Sequence, residues 1–396
     1  MAAVEGCGHF HPHVPGAAGE ATGPPGERMM EEVQKDPATT EQRAPARGVA
    51  GAARVAERGL RLGPAELWAL LDRNPVAIIT LCMVIVGLVG PDLNLATHVL
   101  ILGLLATSLN IIFGYGGLLS FGHSTFYGIA AYTAGNVLVR LTDNFWVALV
   151  LALAVTVAMA TVLGWLCLRR RGVYFSMLTL AFNQILFYAA YSLAKDWTGG
   201  TDGLRGVPSP TLGFGFEANS IRDPGTFYFF VLAVTVVSLW AMHRVVLSPM
   251  GKALQAVRES ETRALATGID STRVHWIAFV LAGAFAGVAG VLHSTFFHFV
   301  GLDAINWPLS GVAVISVLLG GRGTFVGPFL GTGIFLAFQE YLSRITSAWL
   351  LVLGVLVVLC VLGFPEGIWG NIKGWLMRAV GRRWQAARPE RVVEYG

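Results

Sequence analysis

Three groups of residues have types and spacings that chemistry could use. In CGHFHPH, near the start, Cys7, His9, His11 and His13 lie close enough to chelate a metal ion. Their neighbourhood, GAAGEATGPPGE, has too few large apolar groups to offset the entropy of ordering, so it reads as a disordered tail whose histidines hold no specific ligand. The second group, Gly251-Lys252-Ala253, is the nearest fragment to a phosphate-binding loop. It lacks both the earlier glycine and the Ser or Thr that would reach magnesium, so any ATP would have to be used by another chain. The third group is polar and sits inside apolar runs: Asn110, Ser120, His123, Ser124, Thr179, Asn183 and Gln184. Unpaired polar groups are costly in hydrocarbon, so such residues mark either a solute route or hydrogen bonds between helices. Asn110, Ser120, His123, Thr179, Asn183 and Gln184 are therefore candidates for a translocation pathway, with His123 in SFGHSTF and the pair Asn183-Gln184 foremost. No buried Asp or Glu accompanies His123, which argues against a proton relay, and no His/Asp/Glu cluster suits catalysis at a membrane face. Glu340, four residues before Arg344, reads as a surface pair.

The elements that must carry these residues follow from composition. Of 396 residues, 54% are hydrophobic and only 13% charged, with a mean hydropathy of +0.61. Soluble domains carry about a quarter charged residues. A bilayer core about 30 Å thick needs roughly 20 apolar residues per helix, and backbone in lipid must satisfy its hydrogen bonds within the segment. Apolar runs occur at 75–90, 94–113, 118–138, 145–168, 172–194, 226–246, 275–298, 307–321, 324–343 and 348–364. Runs 118–138 and 307–321 are punctuated by Gly, Ser, Thr or His and suit broken or re-entrant elements. The expected fold is all-α: a polytopic integral membrane protein with about ten transmembrane or re-entrant helices and a disordered N-terminal tail. The expected divisions are an extension at 1–60, a membrane domain at 61–380 with a cytoplasmic segment at 248–274, and a cytoplasmic tail at 381–396.

Basic residues concentrate on alternate connections, at Arg169 to Arg171, in 244–273, at Arg322 and beyond Lys373, which places those connections and both termini in the cytoplasm. The net charge of +4 is spread along the chain, so it does not form a nucleic-acid footprint. Cys7, Cys82, Cys167 and Cys360 are scattered and suggest neither a disulfide framework nor a zinc site. GG-x-x-[ST]-F occurs twice, at Gly116-Gly117/Ser120-Phe121 and at Gly320-Gly321/Thr324-Phe325, which suggests an internal duplication.

The charged stretch SPMGKALQAVRESETRALATG (248–268) interrupts this apolar pattern. Ser248 is a good N-cap, Pro249 suits the first helical position and Gly268 can end a helix. Leu254, Val257 and Leu265 share one face with Ala253 and Ala264, and Glu259 and Arg263 are four apart in the favourable order. One helix, or two with a break near Ser260, fit these signals equally. A helix lying on anionic lipid is one reading; a docking helix for a cytoplasmic partner fits the alternating acids Glu259 and Glu261 better.

Four blocks, in order, carry a resemblance: LNIIFGYGGLLSFGHSTFYGIAAYTAG (109–135), GVYFSMLTLAFNQILFYAAYSLAKDWTGGTDGLRGVP (172–208), the charged stretch with IDSTRVHWIAFVLAGAFAGVAG (269–290), and VISVLLGGRGTFVGPFLGTGIF (314–335). From about residue 75 to 365 the chain resembles LivM-type permease subunits of branched-chain amino acid ABC transporters. The resemblance implies an all-helical permease of the inner or plasma membrane that works by alternating access. Such a permease pairs with a second, homologous permease and two ABC ATPase subunits, and an extracytoplasmic solute-binding protein feeds it. ATP and Mg would sit on the ATPases, leaving this chain without a cofactor or catalytic site. Leucine, isoleucine and valine are the implied solutes, while related permeases carry urea, amides or other amino acids. By the same resemblance, Gly251, Leu254, Val257, Arg258, Glu259, Glu261, Ala264 and Gly268 would couple to the ATPase. The turn-rich outer loop 195–225, with Asp196, Trp197, Asp202 and Arg205, reads equally as a docking surface for the binding protein or a cover over the pathway. An ATP-independent secondary transporter would need an intramembrane charge, and the middles of the runs show none.

Overall fold

Apolar runs bounded by capping residues become helices. Asn144 accepts from the Trp146 amide, Asp223 from Thr226, and Asp270 from both Thr272 and Arg273, so each supplies a partner for amides that the helix leaves open. The computed structural model describes residues 74–90, 92–170, 172–211, 223–363 and 367–371. The 1–60 extension, the Cys7/His9/His11/His13 cluster and the 381–396 tail lie outside the described residues.

Each apolar run holds a helix: α1 Pro75–Val89, α2 Leu93–Asn110, α3 His123–Arg140, α4 Phe145–Cys167 and α5 Val173–Tyr188. After a short α6, Lys195–Thr198, come α7 Pro224–Leu247, the polar pair α8 Pro249–Glu259 and α9 Glu261–Ala266, and α10 Ser271–Phe297. The series ends with α11 Trp307–Gly320, α12 Gly327–Ile345 and α13 Trp349–Gly363. Single π-helical turns extend α2 to Tyr115 and α5 to Leu193. Five of these helices are long and apolar enough to cross a membrane alone, namely 93–115, 145–167, 173–193, 224–247 and 271–297. The remaining apolar helices are shorter or more polar and pack beside them. Of the two punctuated runs, 118–138 becomes helical only from His123, after a non-helical turn, and 307–321 gives α11 of 14 residues.

The chain is mostly helical. The all-α expectation needs one amendment, a two-residue antiparallel ladder between β1 Leu204–Arg205 and β2 Phe299–Val300. It pairs loop backbone that would otherwise lie buried without partners.

The core is centred on α2, which is buried on nearly every side between α7, α10, α11 and α12. Against it, α10 packs on α3 and α4; α1 lies on α7, where the Tyr228 hydroxyl donates to Met83 O at 2.6 Å; and α13 rests on α12. Small residues permit close contact: a Cβ at Gly290 would collide with Tyr127 O, so glycine is what lets α10 reach the α3 backbone. Outward faces of α4 and α13 remain apolar, with Trp165 and Leu351 exposed, as a lipid-facing surface requires.

Connections alternate between two ends. At one end lie the turns 116–122 and 321–326, the segment 248–270 and the start of α5, where the Ser176 hydroxyl donates to Leu119 O at 2.6 Å. The β ladder lies at the other end, along with a bridge between Asn144 and Thr211. The Glu340–Arg344 pair is also there, at 2.8 Å and exposed as its spacing suggests.

Candidate functional site

The segment between α7 and α10 resolves into two helices. Ser248 accepts from the Gly251 amide at 3.3 Å and Pro249 opens α8; Ser260, extended at φ −161°, ends α8 and caps α9 by accepting from the Arg263 amide at 3.4 Å. Gly268 adopts φ +84° and stops the segment. Of the two readings open from sequence, the break at Ser260 is the one adopted. This has two consequences for the expected face. Leu254, Val257 and Ala264 are buried, but Leu265 is 53% exposed, because the break shifts the helical phase. Glu259 and Arg263 no longer sit one helical turn apart on a single helix, so their i,i+4 relation is lost.

The buried face of α8 lies on the turn that follows α2. Leu254 packs against Gly116, whose carbonyl oxygen also lies 3.1 Å from His275 Nε2 of α10. Gly251 is pressed against the Val245 and Val246 carbonyls. Glu261 accepts from the Ser271 hydroxyl at 2.6 Å, tying α9 to α10, while Glu259 remains exposed. Arg258 lies at the surface, yet its guanidinium turns inward to donate to Gly114 O. Arg258 thus rests on the protein's own turns while remaining exposed.

Four of the pathway candidates, Asn110, His123, Thr179 and Asn183, bond to neighbouring helices or turns. Asn110 Nδ2 donates to Thr324 O at 2.8 Å and its Oδ1 accepts from the Gly323 amide at 3.0 Å. His123 Nε2 lies 2.8 Å from Ser108 Oγ, and the ring stands edge-on to Phe126. Thr179 accepts from the Phe121 amide at 3.2 Å, so α5 is tied to the turn before α3. Asn183 is a hub: its Nδ2 lies 2.7 Å from Thr125 Oγ1, 2.7 Å from Ile305 O and 3.1 Å from Ser124 Oγ. Ser120 is fully buried, and Gln184 is half-buried beside Asn183. Asn110, Ser120, His123, Thr179 and Asn183 are buried, and the bonds of all but Ser120 reach neighbouring elements, while His123 Nδ1, Asn183 Oδ1 and Gln184 Nε2 are buried without a hydrogen-bond partner among the described residues.

Sequence reasoning missed Ser310, whose hydroxyl donates to Ser124 Oγ at 2.8 Å and accepts from the Ser124 amide at 2.8 Å. A lone Ser in PLSG carries no sequence signal that would distinguish it from other serines. Arg140 was missed too. It donates to Asp196 O at 2.7 Å and lies over the Trp197 ring at 5.2 Å, while Asn136 Nδ2 donates to Trp197 O at 2.8 Å. The segment from Asp196 to Arg205 is thereby folded onto the end of α3, with Trp197 itself 61% exposed and Arg205 donating to Asp202 O at 3.3 Å. Among the described residues, no group of three or more His, Cys, Asp or Glu could hold a metal ion.

Apolar helices around a buried central α2, with a capped polar two-helix segment seated on one end, define an integral membrane permease. The family model described as "Branched-chain amino acid transport system / permease component" matches residues 93–362, and the chain belongs to that family. It is 30% identical to the high-affinity branched-chain amino acid transport permease LivM of Salmonella typhimurium strain LT2, over 77% of this chain and 78% of the relative. LivM of Escherichia coli K12 is 30% identical over 69% of each chain. LivH of Escherichia coli K12, named as a permease of the same kind of system, is 27% identical over 68% of this chain and 91% of its own length. No solved structure matches the chain at a significant level. The chain is thus a transporter component, a permease subunit for branched-chain amino acids.

Proposed function

We propose that this chain forms half of the membrane pathway of an ATP-driven importer, and that separate ATPases act on it through α8 and α9. The observation that carries this reading is the seating of that pair. It is too short and polar to cross a bilayer, its Leu254 and Val257 are buried on the turns of the membrane helices, and Glu259 and Arg263 remain at the surface. A segment built this way can receive a push from a soluble partner and pass it to the helices on which it rests.

The end bearing Arg169, Arg170, Lys252, Arg263, Arg273 and Arg322 is cytoplasmic, by the usual bias of basic residues, which puts both termini on that side of the inner or plasma membrane. Similarity to both LivM and LivH relatives supports pairing with a second, homologous permease. Two ATPase subunits carry the ATP and Mg. At the opposite end, Asp196, Trp197, Asp202 and Arg205 form the landing for an extracytoplasmic binding protein, with Trp197 as a rigid aromatic anchor. ATP binding closes the ATPases, α8 and α9 follow, and the attached helices tilt to change the side on which the central cavity opens.

The test is reconstitution. A tagged chain should co-purify with its partner permease and ATPase, and the complex in liposomes should take up leucine, isoleucine or valine only with ATP and the binding protein. Transport by this chain alone, without ATP, would overturn the reading.

A further inference from the structure

Resting on the reading that α8 and α9 receive the motion of the ATPase, the geometry points to Arg258 as the residue that passes that motion to two turns of the membrane domain together. From the last turn of α8, its Nη1 donates to Gly114 O in the π turn that ends α2. Its aliphatic stem covers Gly117, where an added Cβ would lie 3.2 Å from Arg258 Cγ. The same guanidinium abuts the turn between α11 and α12: a Cβ at Gly323 would lie 2.9 Å from Nη1. One side chain thus rests on both turns at once.

Those turns are also locked to each other. Asn110 accepts from the Gly323 amide and donates to Thr324 O, and a Cβ at Gly114 would come within 2.6 Å of the Gly323 nitrogen. Gly117 and Thr324 belong to the two copies of the GG-x-x-[ST]-F pattern, and Gly323 lies inside the second, so the internal echo has a spatial meaning: its copies meet beneath Arg258. A planar, permanently charged fork on a long stem suits this position, because it can bond a carbonyl on one side while staying open to a partner on the other. Arg258 is a positioning residue. It makes α2 and the α11–α12 turn follow α8 together, across turns whose Gly117 (φ +76°) and Gly323 (φ +77°) also need glycine for their backbone.

The test uses the reconstituted complex with binding protein, measuring uptake per ATP hydrolysed, the apparent KM for the liganded binding protein, and disulfide or bifunctional crosslinking from Ser260→Cys to the ATPase. Arg258→Ala should still crosslink and hydrolyse ATP, with uptake per ATP reduced about tenfold and KM unchanged, the scale expected for a lost charge-assisted hydrogen bond. Arg258→Lys should recover part of the loss, and Arg258→Met, which keeps an unbranched stem over Gly117 but no donor, should reproduce it. If Arg258→Ala fails to insert, the Lys and Met variants decide. Wild-type coupling in all variants that insert would overturn the proposal, as would loss of crosslinking in Arg258→Ala, which would make Arg258 an ATPase contact. Failure of the Ser260→Cys protein with native Arg258 to crosslink would instead overturn the coupling assignment of α8 and α9.

Discussion

Asn110 and Gly323, 213 residues apart in the chain, are joined by a 3.0 Å hydrogen bond from the glycine amide to the asparagine side-chain oxygen. The same side chain donates to Thr324 O, so a single amide satisfies a donor and an acceptor of a turn that no helix could satisfy itself. Replacing Asn110 with Leu leaves two partly buried backbone groups unpaired. The purified complex should lose about 1–3 kcal/mol of stability, read as a lower unfolding temperature in detergent. An unchanged temperature would show that the turn finds other partners.

Asn183 offers the cleanest separation of structural tie from solute contact. Its amide gathers Ser124, Thr125 and Ile305, and Ser310 completes the cluster. Asn183→Ala should cost about 1–3 kcal/mol, and its effect combined with Ser310→Ala should be non-additive because both act in one network. A large rise in KM with stability unchanged would return Asn183 to the pathway.

Two acidic residues in the coupling segment should behave differently. Glu259 is exposed, so Glu259→Lys should uncouple hydrolysis from uptake while leaving thermal stability within about 0.5 kcal/mol. Glu261 holds the Ser271 hydroxyl, so Glu261→Lys should both uncouple and destabilise. Normal uptake in Glu259→Lys would count against docking at this surface.

Glycines of the same family of helices should differ sharply in tolerance. A Cβ at Gly290 strikes Tyr127 O, whereas one at Gly311 meets nothing within 4 Å. Gly290→Ala should cost about 1–3 kcal/mol by forcing α10 away from α3, while Gly311→Ala should be neutral or slightly stabilising. Equal yields and equal melting of the two variants would contradict this helix contact.

Sidedness is directly measurable. A cysteine at Trp197, which is 61% exposed, should react with an impermeant maleimide added to intact cells, and one at Ser260 only after the membrane is opened. The reverse pattern would invert the assignment of both ends.

Much of this architecture is local and could be read from the chain alone. Run lengths placed the apolar helices at their observed positions, and Ser248, Pro249 and Gly268 marked the polar segment's limits, because spacing, caps and turn-forming residues act over a few neighbours. The break at Ser260 stood open only because two local signals competed there, and the phase shift that exposes Leu265 followed from it. What tertiary structure alone decided is where long-range partners lie. Whether Asn110 or Asn183 faces a solute or a neighbouring helix depends on atoms 58 to 214 residues away, and polar residues look alike in sequence whichever partner they find. Arg258 makes the point most clearly. Composition could show a charged helix, but only the folding of two distant glycine turns against it could draw one guanidinium inward, because a hydrogen bond belongs to the geometry of two groups and not to either one.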